Sequence, residues 1–482
     1  MLNSHTSQFL YDQVYDLIRA QIASGSLRPG DKLPSLRGFS RQLKVSIATV
    51  MQGYTNLEQE GFITARAQSG FFVSPSIDRS IALPSATSPK PVARDIQLSG
   101  VVRDLLKLSR TPGVVPLGLA NPGGSLLPCR ALARIMHRVV TRSPLEAVEY
   151  AELSGHRELR HQIAYRSGML GTAIDPDSIV ITNGASEALA LSLKSVTKPG
   201  DTIAVESPTY FLLLQLIEDL GLKAIEVPSN PTHGLDIDSL EDILEQFNVS
   251  CVMCVANFNN PYGSLLPDSQ KQRLVNLVNS KGVRLIEDDI YGDLHFGEHR
   301  PLPLRSFDYQ GNVVTCSSFS KTLAPGYRIG WIVAESDREE MLSRKHSVSL
   351  STSTVGQMVV AEYLATAGYE RHLRGLRRRL MQQVDKMRLK LGNHLPKGTR
   401  ISQPQGGFVL WVELPRGVDA LKVFSRCLEN QVSVLPGTIF SPTRKFRNCL
   451  RVSCGHPWNE SIDQAVKLLG RVTAAEQQTR GH

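Results

Sequence analysis

At 482 residues the chain is too long for one ordinary domain and long enough to bury a large core. Apolar residues make up 41% and charged residues 21%, with a mean hydropathy of −0.13, which excludes wholesale disorder, fibrous repeats and a membrane-spanning helix. Lys and Arg number 54 against 45 Asp and Glu, and residues 1–75 carry only seven basic and five acidic groups, so nucleic-acid binding cannot be argued from charge.

Met1 to Tyr11 has neither a basic nor an apolar leader region, and seven cysteines, an odd number, make no disulfide framework. A cytoplasmic protein without membrane association is expected. Leu10, Val14, Leu17, Ile18 and Ile22 fall on one face of a first helix that stops at Ser24-Gly25. Arg28-Pro29-Gly30-Asp31 is a turn. Ser35 is placed to cap a short helix with Leu36, Phe39 and Leu43 inward. Ser46 is placed to cap a third helix with Val50, Tyr54 and Leu57 inward and Gly61 at its end. Phe62-Ile63-Thr64 and Phe71-Phe72-Val73 then flank Arg66–Gly70 as a two-stranded wing. Two helices joined by a tight turn and followed by a wing make a winged helix-turn-helix, a shape that enters the major groove.

The run Gly25-Ser-Leu-Arg-Pro-Gly-Asp-Lys-Leu-Pro-Ser-Leu-Arg37, with Val45-Ser46, Thr49-Val50, Leu57, Gly61 and Gly70, resembles the DNA-binding domain of the GntR family of bacterial regulators across residues 9–73. The resemblance implies that Arg37 reaches double-stranded DNA, that Ser46 and Thr49 lie at the N-terminus of the recognition helix, and that Gly70 tips the wing. Where many relatives carry Arg after the capping Ser, this chain has Ile47, so a bidentate guanine contact from that position is absent. Thymine methyls or the wing are then left to set base choice.

Between Ser74 and Pro91, five Ser, four Pro and one Thr mark a linker. Ile96 to Pro112 holds a further short helix with Val101, Leu105 and Leu108. The expected organisation is a DNA-binding domain over 1–75, a linker over 76–112 and a large domain over 113–482. In the large domain, apolar strand runs at Ser178–Thr182, Thr202–Val205, Ser250–Val255, Val283–Ile286 and Asn312–Thr315 alternate with helical segments such as Glu187–Val196 and Asp268–Ser280. Such alternation predicts an α/β fold with a mainly parallel sheet and ligands at the carboxyl ends of its strands.

The motifs stand at those ends. In Ser317-Ser-Phe-Ser-Lys321-Thr-Leu-Ala-Pro-Gly-Tyr-Arg328, a lysine between hydroxyl residues, with an arginine seven positions on, suits a Schiff base beside a phosphate held by Ser318, Ser320 and Arg328. This segment resembles the pyridoxal-phosphate lysine of fold-type I, class I/II aminotransferases, and further motifs follow in family order over about residues 115–470. Thr182-Asn-Gly184-Ala185-Ser186 joins a strand to a helix, so the Gly184–Ser186 amides can cradle phosphate. By the resemblance, Asp288 of Glu287-Asp-Asp-Ile-Tyr291 pairs with the pyridine nitrogen, in preference to Asp289, while Tyr291 and Asn260 sit on the phenolate oxygen. It further implies that Tyr210 stacks on the ring and Tyr150 reaches the phosphate of a neighbouring subunit. Arg451 of Asn448-Cys-Leu-Arg-Val-Ser then grips a substrate or effector carboxylate.

Three other signals lead elsewhere. His295-Phe-Gly-Glu298-His299 has zinc-site spacing, but Gly297, Pro301 and Pro303 predict a loop, so no metal is expected. Cys251 and Cys254 lie within an apolar strand and are expected to be simply buried. The Arg-rich run from Arg371 to Lys390 reads as a solvated helix face.

A GntR-type winged helix joined to an aminotransferase-like domain is the architecture of the MocR subfamily of regulators. The resemblance implies a homodimeric transcription regulator that binds operator DNA and pyridoxal 5'-phosphate. It would sense the cofactor, or a small amino-acid or amine effector, by aldimine formation. An active aminotransferase with an accessory DNA-binding domain stays open beside it, because the residues such chemistry needs are all present.

Overall fold

The computed structural model describes residues 9–23, 26–59, 62–66, 69–74, 81–98, 102, 103, 107 and 111–478. The chain divides into two compact units, residues 1–81 with 386–393, and residues 82–385 with 394–482.

The small unit holds helices Leu10–Ala23, Leu36–Leu43 and Ile47–Gln59, then antiparallel strands Ile63–Arg66 and Gly70–Val73. Local chemistry sets the boundaries. Ser35 Oγ accepts from Gly38 N at 3.1 Å, and Ser46 Oγ accepts from Thr49 N at 3.0 Å, so each hydroxyl satisfies a donor the helix start leaves open. Val14, Tyr15, Ile18, Phe39, Val50, Tyr54, Leu57, Ile63 and Val73 close one core. Leu10, expected inward, is 36% exposed in the first turn, and Tyr15, not expected there, is buried. Ser24, Gly25, Gly61, Ala67 and Gln68, named above as helix stops and wing turn, lie outside the described residues.

In the large unit eight strands form one sheet, ordered Ile179–Asn183, Ile329–Val333, Val313–Ser318, Arg284–Asp288, Cys251–Cys254, Thr202–Ser207, Lys223–Asn230, Gly234–Leu235. The run from Val313–Ser318 to Lys223–Asn230 is parallel throughout, whereas Ile329–Val333 and Gly234–Leu235 pair antiparallel. Strands covered on both faces need continuous apolar runs, which is why Cys251–Cys254 reads Cys-Val-Met-Cys and is wholly buried. Helices Cys129–Arg142, Arg157–Met169 and Thr354–Leu364 pack one core against Ile179, Ile181 and Val333, and Ile237–Gln246 and Asp268–Lys281 pack another against Ile225, Val252 and Leu285. A smaller antiparallel sheet follows, in the order Arg400–Ile401, Val409–Glu413, Cys449–Ser453, Leu435–Pro436.

The stretch read as a linker from its composition is in part a strap. Residues 82–98 belong to the large unit. Arg94 bridges Ala224, and Thr87 N donates to Ser229 O at 3.0 Å, covering the outer edge of Lys223–Asn230. An extended Ser/Pro chain with no core of its own still carries backbone donors and acceptors, and an open strand edge is where they find partners. Of the short helix expected between Ile96 and Pro112, Val101, Leu105 and Leu108 lie outside the described residues, while Val102 and Arg103 are helical.

Candidate functional site

The strands Ile179–Asn183, Thr202–Ser207, Cys251–Cys254, Arg284–Asp288 and Val313–Ser318 end on one side of the sheet, and polar residues follow each apolar run there. Ala185, Ser186, Tyr210, Asn260, Asp288, Tyr291, Ser318, Ser320, Lys321 and Arg328 line one cavity of about 430 Å³. Ten of the positions singled out in the sequence, separated by up to 143 residues of chain from Ala185 to Arg328, therefore meet in one place. Gly184, Arg451 and Tyr150 are not in its wall. Gly184 packs against Arg328, Arg451 is 1% exposed and near enough for its charge to act on Lys321 and Tyr291, and Tyr150 is 81% exposed.

Lys321 follows Val313–Ser318, and its Nζ donates to Ala120 O at 2.7 Å and to Asn121 Oδ1 at 3.2 Å. Burial, then the nearby Arg451 and Arg328 charges, lower its pKa to about 8 against the pull of Asp288. Gly184, at φ +79°, precedes the helix Ala185–Val196. A Cβ at Gly184 would collide with the Arg328 guanidinium, whose Nη2 donates to Asn183 O at 3.0 Å. A glycine is needed there both for the positive φ and for that approach. The N-terminus of this helix, Arg328 and the buried Ser318 and Ser320 thus line one cavity, a combination suited to an anion.

Asp288 and Asp289 are separated by their partners. Asp289 accepts from Asn257 Nδ2 at 2.9 Å and pairs with Arg300, which also binds Asp293. Asp288 faces the cavity, and its Oδ1 is buried without a hydrogen-bond partner. Asn260 hydrogen-bonds the Tyr291 hydroxyl, whose pKa burial pushes far up. Arg451, 1% exposed in Cys449–Ser453, donates from Nη2 to Gly118 O, while Nε and Nη1 have no partner. Burial pulls its pKa down.

Sequence reasoning missed Asn121, whose only local signal is the Asn-Pro-Gly-Gly turn it opens. It also missed Glu206. This buried carboxylate accepts from Val255 N and Asn259 Nδ2, both at 2.9 Å, and so holds the loop that carries Asn260. The His295 ring lies after the turn Gly292–Leu294 with Nδ1 at 2.8 Å from Gly297 O, in a loop as expected. Cys251 and Cys254 are buried, and burial pushes the Cys251 thiol up to about 12.

Burial raises the carboxyls of Glu206 and Asp288 to about 7, and Glu287 is raised in the same way. The folded chain holds these protons to about pH 7, while the unfolded chain releases them near pH 4. That contribution to stability is complete below about pH 4 and is lost as pH rises through about 7. The melting midpoint of the cofactor-free protein should therefore fall between about pH 5 and 8, and Glu206→Gln with Asp288→Asn should flatten the fall. A midpoint that rises across this window would contradict the protonated state.

In the small unit, Arg37, Ser46 and Gly70 are exposed, and Thr49 is half-buried with its Oγ1 2.8 Å from Ser46 Oγ. Two basic residues not singled out above stand at the wing, Lys32 and Arg66, over the Phe72 ring.

Comparison with known proteins places both units. Residues 114–469 match the family described as aminotransferase class I and II, and residues 10–73 match the bacterial regulatory proteins of the gntR family. An uncharacterized HTH-type transcriptional regulator of Escherichia coli, YdcR, is 39% identical over 96% of this chain and 98% of its own length. The 2-aminoadipate transaminase of Thermus thermophilus is 32% identical over 77% of this chain and 93% of its own. Among solved structures, LysN, the alpha-aminoadipate aminotransferase of Thermus thermophilus complexed with N-(5'-phosphopyridoxyl)-L-leucine, superposes with a TM-score of 0.73 at 30% identity. That match covers 80% of this chain and 96% of LysN.

Proposed function

Because the chain belongs to the MocR type of GntR regulators, with its large domain in the class I and II aminotransferase family, we propose that it senses an amino-acid or amine effector and regulates transcription accordingly. The observation that carries this reading is the end-to-end match to an HTH-type regulator, together with an intact lysine, aspartate and arginine constellation in the large unit. The large domain takes pyridoxal phosphate. The buried, unpartnered Asp288 Oδ1, Asn260 Oδ1 and Ser320 Oγ are polar atoms that such a ligand would satisfy. When bound, the cofactor supplies an electron-withdrawing ring and an aldehyde.

In this reading Lys321 carries the cofactor. Asp288 faces the pyridine nitrogen, Asn260 and Tyr291 the phenolate oxygen, and Tyr210 the ring. Gly184, Ala185, Ser186, Ser318, Ser320 and Arg328 hold the phosphate, Tyr150 reaches the partner's phosphate in a homodimer, and Arg451 takes the effector carboxylate. Arg37, Ser46, Thr49 and Gly70 face operator DNA. We assign the DNA-binding domain to 1–75, the linker to 76–112 and the large domain to 113–482, in a cytoplasmic protein.

Sequencing of genomic DNA bound by the purified protein, with and without pyridoxal phosphate, tests the reading. Selective binding that responds to the cofactor is the expected result. The full set of gathered polar residues also favours a second reading, an active aminotransferase. Turnover with a 2-oxo acid at ordinary enzymatic rates, without selective DNA binding, would decide for it.

A further inference from the structure

A helix that reads the major groove discriminates bases through the few side chains that reach base edges. The helix Ile47–Gln59 uses its inner face for the core. Val50, Tyr54 and Leu57 are fully buried, and Gly53 packs so close to the first helix that a Cβ there would stand 2.9 Å from Val14 Cγ1. Its outer face begins with Ile47, Ala48, Met51 and Gln52, all exposed. Ile47 is 47% and Met51 44% exposed, and a spacing of four places them one above the other on that face. The neighbouring hydroxyls of Ser46 and Thr49 are bonded to each other, and Ser46 Oγ also accepts from Thr49 N. The first turn therefore offers apolar atoms to whatever approaches it.

The segments before and after this helix expose cations. Arg37, Arg41 and Lys44 are exposed before the helix, and Lys32 and Arg66 stand at the wing, 5.8 and 4.4 Å from the Phe72 ring centroid. Residues 26–74 carry six Lys and Arg against three Asp and Glu. Two of those carboxylates are engaged, Asp31 with Arg28 N and Glu58 with Ala65 N. An apolar strip on a unit whose exposed charge is mainly cationic complements a polyanion with apolar groups on its floor. Duplex DNA is such a surface: phosphates form its rim, and the thymine C5-methyl is the apolar group its major groove displays.

We propose that Ile47 and Met51 select thymine by packing on C5-methyl groups, and that the exposed cations set the register on the phosphates. The proposal rests on the DNA-binding reading above and adds the chemistry of base choice. Exposing one methyl-sized group to water costs about fourfold in affinity, so two such contacts are worth roughly an order of magnitude per half-site.

Deoxyuridine tests this, because it removes the methyl and leaves base pairing and the other groove groups intact. The full-length protein with pyridoxal phosphate is first used to enrich a duplex from a randomised library, which is then remade with dU replacing dT one position at a time. One or two positions per half-site should each lose about fourfold in affinity. Ile47→Ala and Met51→Ala should bind the dT duplex more weakly and lose the dU penalty. Both residues are exposed, so the fold should survive, which circular dichroism checks. Full affinity for an all-dU duplex overturns the proposal, as does a dU penalty that persists in the double variant. A dU-insensitive duplex combined with lost self-association in that variant assigns the strip to a second copy of the chain and also overturns it. Enrichment of no sequence at all strikes the DNA-binding reading itself, a separate and recognisable result.

Discussion

In the Lys321→Ala variant, borohydride should fix no pyridoxal phosphate to the protein. The wild-type amine is prepared for attachment. Its pKa, lowered to about 8 by burial and by Arg451 and Arg328, leaves a usable fraction unprotonated near neutral pH. Ala120 O and Asn121 Oδ1 hold Nζ at the cavity wall. The two lysines that are fully buried among the described residues are committed elsewhere: Lys271 Nζ donates to Asp268 and Leu302 O, and Lys345 Nζ to Leu153 O. Noncovalent cofactor should persist in the variant, because the helix Ala185–Val196, Arg328 and the two serines are untouched. Reduction followed by peptide mapping is the measurement, and a label on any other lysine removes Lys321 from its role.

Arg451→Ala should weaken amino-acid binding by about 100- to 5,000-fold and leave plain amines nearly unaffected. The guanidinium is 1% exposed, and two of its nitrogens have no partner. Losing one member of a buried ion pair costs about 3–5 kcal/mol, which sets the scale. The free protein should be hardly destabilised, since the variant also removes a charge that burial penalises. Titrating the cofactor-loaded protein with an amino acid and with its decarboxylated amine, followed by absorbance, separates the carboxylate contribution. Unchanged amino-acid affinity in the variant, or equal binding of both ligands by the wild type, would falsify the assignment.

Much of the site was legible because many of its residues lie at or shortly beyond the end of an apolar run. A strand covered on both faces must be apolar, so the point where Val313–Ser318 or Arg284–Asp288 gives way to Lys or Asp marks the edge of the core and the start of the pocket. The same locality made the small unit readable, since the Ser35 and Ser46 caps and the Val50, Tyr54, Leu57 stripe each depend on residues within a few positions.

By itself, then, the sequence determined the two kinds of unit, five strands of the main sheet with helices between them, and the residue types offered at the strand ends. The resemblance already preferred Asp288 to Asp289, and only the tertiary structure showed the pairing that separates these adjacent carboxylates. The pairing of Asp289 with Arg300, eleven residues away, leaves Asp288 to the cavity. It also decided that Asn121 holds a lysine 200 residues distant, and that part of a Ser/Pro-rich linker covers a strand edge. Ile329–Val333 likewise turns antiparallel in a sheet expected to be mainly parallel. These outcomes share one physical cause. Caps, turns and periodicity are satisfied within a few residues, whereas hydrogen bonds and ion pairs between remote segments depend on which surfaces packing brings together.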